Sequence, residues 1–419
     1  MIEPAPLKKP HSILPLLWVM LFDHTSLNIT FPVLTLLFFD VQSQLFTPDT
    51  THAVRSMWYG LCVAIPHVIN LFMTPILSAM SDEYGRKRIL MIGTLGALFF
   101  ALTAGLGILF GMLSLLFLGR IIQGAFSRTN PIAQAVIGDI SSTKNKIRDM
   151  GYLQLAISIG AFVGPLLGGY FANQFFFSTL NFSPPYWIAA FFAGISCLLT
   201  ALFFTETHTF QKNKKQFSML HFLALKKVIS NPAILKISAI LLLSQISWSM
   251  YYQFIPPTLK TVLKFDAHSL GWFVGCIALW LALATGFGIK ILQEFFKLKG
   301  MLVLSLYLVF FGLVLTFIFC KIPSESFSWL IWIAAIPTAI GDVIAYSCLV
   351  TLYSDSVPKE DQGKVMGICF IVVALIWSLT ALLGGVMMGI NELLPMAVAP
   401  LGIMLSILLL HSSFGKTLF

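Results

Sequence analysis

Residues 151–169 read GYLQLAISIGAFVGPLLGG. Glycine inside a helix costs about 1 kcal/mol relative to alanine in water, yet this apolar stretch holds Gly151, Gly160, Gly164, Gly168 and Gly169, with Pro165 among them. In lipid, small residues spaced four apart clear a groove that lets a second helix backbone approach closely. Gly160, Gly164 and Gly168 form such a stripe, so the segment predicts a transmembrane helix packed tightly on another. The element returns later: VIGDISSTKNKIRDMGYLQLAISIGAFVGPLLGG aligns without a gap on LYSDSVPKEDQGKVMGICFIVVALIWSLTALLGG. Asp139 falls on Asp355, Met150 on Met366, Gly151 on Gly367 and Gly168-Gly169 on Gly384-Gly385, at one constant offset of 216 residues. The chain is expected to be two copies of one half.

Composition agrees. The 419 residues are 58% hydrophobic and only 10% charged, with a mean hydropathy of +0.88. Soluble domains carry roughly 25% charged residues, so an ordinary globular core is excluded in favour of a polytopic membrane protein. Twelve spans need ~240 apolar positions, about as many as are present, which leaves no room for a soluble domain. Apolar runs fall near 13–39, 57–79, 89–108, 112–138, 150–172 and 185–205, then near 233–258, 269–289, 300–320, 328–352, 365–388 and 394–412. The expected fold is all-α and membrane-integral, with twelve transmembrane helices in two pseudo-symmetric six-helix bundles. These are residues 1–206 and 233–419, joined by a basic linker at 207–232.

The net charge of +9 is placed as a topology signal, not as a nucleic-acid surface. With the N-terminus inside, nineteen Lys and Arg face the cytoplasm, against Arg55, Lys260, Lys264 and Lys321 on the other side. Both termini are then cytoplasmic. No small-residue cleavage site follows the first run, so that span is expected to be kept. Phe217 to Ile229 in the linker could lie as a short helix on the anionic leaflet, or the linker simply tethers the halves. The six cysteines sit in or at the ends of apolar runs without CxxC spacing; they imply neither metal nor disulfide.

Ionisable groups within spans are functional candidates, because each costs ~2.5–3.5 kcal/mol at the bilayer centre. They are Asp23 and His24 in the first run, His67 in the second, Arg120 and Arg128 in the fourth, and Asp342 in the tenth. Asp23 and Arg120 are expected to pair across a central cavity. A carboxylate that pairs with arginine in one state and takes a proton in another is the minimum machinery for proton coupling; a purely structural buried pair is the alternative. Asp342 is a second coupling candidate, beside Pro337 and Gly341, whose bend would also need a polar partner. Asn28, His67, Gln123, Arg128, Gln245, Trp248, Tyr252 and Trp272 are the candidate cavity lining. His24 and His67 also read as satisfied core histidines, and the Trp and Tyr residues as interfacial anchors.

Between the second and third runs stands TPILSAMSDEYGRKRIL, which concentrates Ser81, Asp82, Gly85, Arg86, Lys87 and Arg88 in one tight loop. Positive-inside topology explains the cations alone. The whole pattern resembles the cytoplasmic loop signature of the major facilitator superfamily, roughly G-x-L-S-D-R-x-G-R-R/K. Ser78, Met80 and Glu83 replace its first glycine, its leucine and its first arginine. FDHTSLNITFPVL resembles the first helix of the tetracycline-resistance-like, twelve-helix drug:proton antiporters. GRIIQG at 119–124 is similar to the fourth-helix signature with its buried arginine, and Thr205 to Thr207 to the usual exit of the sixth helix. Gly151, Gly160, Gly164, Pro165, Gly168 and Gly169 match the fifth-helix antiporter signature. The resemblance implies that Asp82 docks on the N-terminus of the eleventh helix, near Gln362 to Lys364, when the protein faces outward. It also implies a bacterial-type inner membrane.

The expected function is proton-driven secondary transport of a small molecule by two rocking halves, with no cofactor beyond the proton gradient. No GxxxxGK[ST] phosphate cradle and no catalytic grouping is present, so neither ATP drive nor an enzyme is expected. The resemblance favours export of amphipathic compounds. The two arginines Arg120 and Arg128 instead favour an anionic metabolite such as a carboxylate siderophore, with import as the alternative direction. A non-transporting receptor on the same fold would be expected to lose its intramembrane charges. The two-half plan is expected to work as a monomer, with the bilayer and a small substrate as its partners.

Overall fold

A computed structural model describes residues 12–126, 129–142, 145–172, 181–207, 232–322, 328–357 and 362–412. Among these the chain is almost wholly helical: α1 (Leu14–Phe39), α2 (His52–Tyr84), α3 (Arg86–Leu109), α4 (Leu113–Phe126), α5 (Thr129–Ile140), α6 (Lys146–Phe171), α7 (Pro184–Leu202), α8 (Pro232–Thr261), α9 (Ala267–Phe295), α10 (Leu298–Lys321), α11 (Leu330–Asp355), α12 (Gln362–Ile390) and α13 (Leu394–His411). Ten of them are long and apolar enough to cross a membrane. Helix α1 has the length but carries Asp23, His24 and Asn28, and α4 and α5 flank residues 127–128, so the twelve expected crossings are accounted for. The proposed surface helix at 217–229 lies outside the described residues.

Connections alternate between two faces. The near face carries both described ends of the chain and the turn at Gly85; the far face carries the turns at 40–51, 110–112, 262–266 and 391–393. Helix α2 starts earlier than its apolar run because Thr51 caps it, its hydroxyl accepting the Val54 amide at 3.4 Å. The third and fourth runs, poorly separated in sequence, part at Gly111, which holds a φ of 64°.

The glycine stripe does what its spacing predicts. A Cβ on Gly160 would stand 2.7 Å from the Leu21 carbonyl, and one on Gly164 2.8 Å from the Thr25 carbonyl, so α1 lies in the groove of α6. The repeat has a structural counterpart. Gly169 of α6 meets Gly271 of α9, and Gly385 of α12 meets Gly60 of α2; in both crossings a Cβ would stand 2.9 Å from the opposite Cα. These equivalent contacts join the helices before residue 207 to those after 232, and both lie at the far face.

The apolar run near 233–258 closes on the double proline Pro256-Pro257, yet α8 runs on to Thr261. Pro257 has no N–H for the carbonyl four residues back. That carbonyl, of Gln253, is satisfied from outside: the Tyr59 hydroxyl donates to it at 2.8 Å. In lipid a helical proline is tolerated when a neighbour satisfies the freed group.

The apolar core shows where the halves join. One buried cluster runs without interruption from Val33, Leu37, Phe38, Tyr59 and Phe100 into Phe254, Leu270 and Met388. At the near face, Leu16, Val19, Leu77, Ile89, Leu90 and Leu153 form a separate cluster confined to the first half.

Candidate functional site

A cavity of about 340 Å³ lies between the halves, toward the near face. Its walls are Gln154 and Ser158 of α6, Gln245 and Trp248 of α8, Leu281 to Thr285 of α9, Asp342 and Tyr346 of α11, and Val373 and Trp377 of α12. Helix α9 makes a π turn at Ala284–Gly288 beside this wall, and such turns are common at functional sites. An aromatic layer backs the cavity. Tyr252 stacks on Trp248 at 5.5 Å and on Phe31 of α1 at 5.1 Å, and Trp377 packs against both Tyr252 and His67 of α2. The Trp377 indole N–H donates to Gln245 Oε1 at 3.3 Å, and Gln253 Nε2 donates to the Trp377 carbonyl at 3.2 Å.

Of the expected lining, Gln245 and Trp248 stand in the cavity wall, and Tyr252 and His67 stand in the layer behind it. Asn28 does not line this cavity: its amide donates to the His24 carbonyl at 2.8 Å and it packs over Gly164. Trp272 is a correction. It is 43% exposed on α9, and its indole donates to His268 Nε2 at 3.1 Å. Trp272 and Leu281 are nine residues apart, two and a half helical turns, so they lie on opposite faces of α9, and the face turned to the cavity is that of Leu281 and Thr285. Arg128 lies outside the described residues.

The expected Asp23–Arg120 pair is not formed. Asp23 is fully buried and its Oδ2 accepts the Thr129 hydroxyl at 2.6 Å, while Oδ1 has no partner among the described residues. Arg120 donates from Nη1 to Gln123 Oε1 at 2.8 Å and stacks over the Phe100 ring at 5.7 Å. Depth explains the difference. Nine residues from Leu14 put Asp23 about 14 Å from the near end of α1, and twenty residues before Ile140 put Arg120 about 30 Å away along its run. Thr129, at about 16 Å, is the group at the level of Asp23. Asp342 is 7% exposed and has no hydrogen-bond or ion-pair partner among the described residues.

The loop at Gly85 is a built network. Gly85 holds a φ of 101°, in the left-handed region, and a side chain there would strike the Glu206 carboxylate. Glu206 Oε1 accepts the Arg86 amide at 2.9 Å and Oε2 the Lys87 amide at 3.1 Å, so an anion sits on the N-terminus of α3 where unpaired amides and the helix dipole favour it. The Arg86 guanidinium reaches Asp82 at 2.6 Å, Asp139 at 2.9 Å and the Ser81 hydroxyl at 2.6 Å. Lys87 Nζ donates to the Ala201 carbonyl at 2.8 Å, whereas Arg88 is exposed. Asp82 itself is 65% exposed. Its expected docking on the backbone near Gln362 to Lys364 was implied for the outward-facing state, and residues 358–361 just before that helix lie outside the described residues. Glu206 was read only as part of a helix exit; an acid at such an exit, opposite a glycine turn, was the available signal.

Sequence reasoning also missed the far-face ties. Lys260 Nζ pairs with Asp40 Oδ2 at 2.5 Å, and His52 approaches Glu392 at 3.8 Å, each joining the two halves. Asp40 and Lys260 end α1 and α8, the first helices of the two copies, so opposite charges at equivalent helix ends were the legible clue. Within the antiporter signature, Gly160, Gly164 and Gly168 hold α1, Gly169 and Pro165 meet Gly271, and Gly151 has open space where a Cβ would stand.

Comparison with known proteins agrees with this geometry. The chain is 31% identical over 196 residues to the class H tetracycline resistance protein of Pasteurella multocida, 47% of this chain and 45% of that one. It is 30% identical over 160 residues to multidrug resistance protein 1 of Bacillus subtilis (strain 168), 37% of this chain and 38% of that one. Each match thus spans less than half of the relative. Among solved structures, a POT family transporter overlays with a TM-score of 0.73 at 13% identity, covering 97% of this chain and 96% of that one. A D-xylose–proton symporter overlays with a TM-score of 0.71 at 14% identity, covering 94% and 96%. At those identities the likeness is one of fold. The sequence model of the Major Facilitator Superfamily matches residues 14–381, and with two glycine-crossed halves around one cavity, the chain belongs to that superfamily of membrane transporters.

Proposed function

We propose that the protein is a proton-coupled exporter of small amphipathic compounds that works by alternating access. The observation that carries this reading is the position of the cavity: between pseudo-symmetric halves, with the ion pairs and glycine crossings that join one half to the other, among the described residues, gathered on its far side. Such a molecule is held open toward one face and can reopen toward the other by rocking about the site. The relatives named for tetracycline and multidrug resistance support export. The sequence asymmetry of nineteen Lys and Arg against four supports a cytoplasmic location for both termini in an inner membrane, and hence an inward-open state. Asp23 is assigned the coupling proton: buried, with one oxygen bonded and the other unpartnered, it has room for a hydrogen.

The test is substrate-induced proton flux in proteoliposomes with an internal pH dye. Tetracycline and cationic dyes are expected to move protons, and Asp23→Asn is expected to abolish that movement while substrate binding persists. Flux surviving in Asp23→Asn would remove the coupling assignment. A second reading, transport of an anionic metabolite, keeps one observation: Arg120 is buried without a carboxylate partner among the described residues. Proton movement with polycarboxylate chelates alone would establish it over the exporter.

A further inference from the structure

The cavity lining holds one carboxyl group, that of Asp342. Its polar walls, Gln154, Ser158, Gln245 and Thr285, are neutral, and its lining contains no Lys, Arg or His. Asp342 is 93% shielded by the fold, faces into this space, and has no hydrogen bond or ion pair among the described residues. The other acid of the spans, Asp23, is held by Thr129 and is absent from the lining. A carboxylate without a partner in a low-dielectric site is costly, and a positively charged ligand relieves that cost where a neutral or anionic one does not. The surrounding walls suit the same ligand. Trp248, Trp377 and Tyr346 line the same cavity as Asp342, and aromatic faces attract a desolvated organic cation. Trp377 is held in place by its bond to Gln245. The volume, about 340 Å³, falls in the roughly 300–1,000 Å³ range of small-molecule sites.

We infer that Asp342 is the charge-recognition residue of the cavity, and that the preferred substrates are lipophilic organic monocations. The inference deepens the exporter reading and rests on it for the word substrate, but not for the binding it describes. It gives Asp342 a ligand in place of the coupling role.

The experiment uses the full chain in nanodiscs without any gradient, with quenching of tryptophan fluorescence as the readout. Tetraphenylphosphonium and tetraphenylborate have the same shape and opposite charge. Wild-type protein is expected to bind the phosphonium at least tenfold more tightly than the borate, a comparison that needs no variant. Asp342→Asn, close to isosteric, is expected to lose at least tenfold in phosphonium affinity and to gain for the borate, whereas Asp342→Glu retains the preference. Equal or tighter borate binding, no saturable phosphonium binding, or an unchanged affinity in Asp342→Asn would overturn the inference. The exporter reading fails separately: phosphonium that binds through Asp342 yet moves no protons in proteoliposomes would refute export and leave the site assigned.

Discussion

Gly169 and Gly151 stand eighteen residues apart on α6, five turns of a helix and so on one face, about 27 Å from each other. They are in opposite circumstances. A Cβ on Gly169 would collide with the Ala267 carbonyl and stand 2.9 Å from Gly271 Cα, backbone atoms that cannot give way; a Cβ on Gly151 meets nothing within 4 Å. Gly169→Ala therefore overpacks the far-face crossing and costs the present state about 1–3 kcal/mol, which shifts a two-state equilibrium about 5- to 150-fold toward the far-open form. Gly151→Leu leaves this state within about 0.5 kcal/mol. If the near face closes by the same helix faces, it obstructs that closure and shifts the equilibrium the other way. Double electron–electron resonance reads both, with spin labels at Val41 and Lys264 on the far face and at Glu83 and Glu294 on the near face, all exposed. Gly169→Ala should lengthen the far-face distance and shorten the near-face one; Gly151→Leu should suppress any short near-face population. An unchanged distribution in Gly169→Ala, or shifts of the same sign in both, would refute closure by one glycine-lined face.

Two further outcomes follow from single contacts. Tyr59→Phe removes the donor to the Gln253 carbonyl that Pro257 leaves free; a buried orphan acceptor costs about 1–3 kcal/mol, so the far-face distance should shift as in Gly169→Ala. Glu206→Gln weakens the anion on the N-terminus of α3, a loss of about 0.3–2 kcal/mol that should lower the melting midpoint in detergent, whereas Glu83→Gln, exposed in the last turn of α2, should leave it unchanged.

The fold was legible because lipid makes few demands and the chain states them openly. The glycines of α6 need a second backbone, and α1 supplies it; Gly385, found by its offset from Gly169, needs another, and Gly60 supplies it. The site was legible in composition but not in pairing. Asp23, Arg120, Asp342 and Trp377 are all within spans, yet which of them meet depends on depth and on rotation about each helix axis. Periodicity gives rotation only within one helix. Depth could have been counted, and it separates Asp23 from Arg120. The Tyr59 bond to α8 and the Asp40–Lys260 tie join residues some two hundred positions apart, where no local pattern reaches.

The two copies have diverged most where the near face turns. In the first, Gly85 bends the chain so that Glu206 neutralises the N-terminus of α3, and Arg86 is clamped between Asp82 and Asp139. In the second, the matching turn is the FFKLKG stretch: α10 begins at Lys297 without a side-chain cap or an acidic residue in its first turn, and α9 enters that turn through the π segment Ala284–Gly288. Cations at a helix N-terminus oppose its dipole, and a π segment weakens the hydrogen-bond ladder behind it. The same repeat thus yields one braced turn and one loose one. The less braced turn belongs to the helix that supplies Leu281 and Thr285 to the cavity wall, so the second half's cavity wall is mounted on the turn with fewer ties.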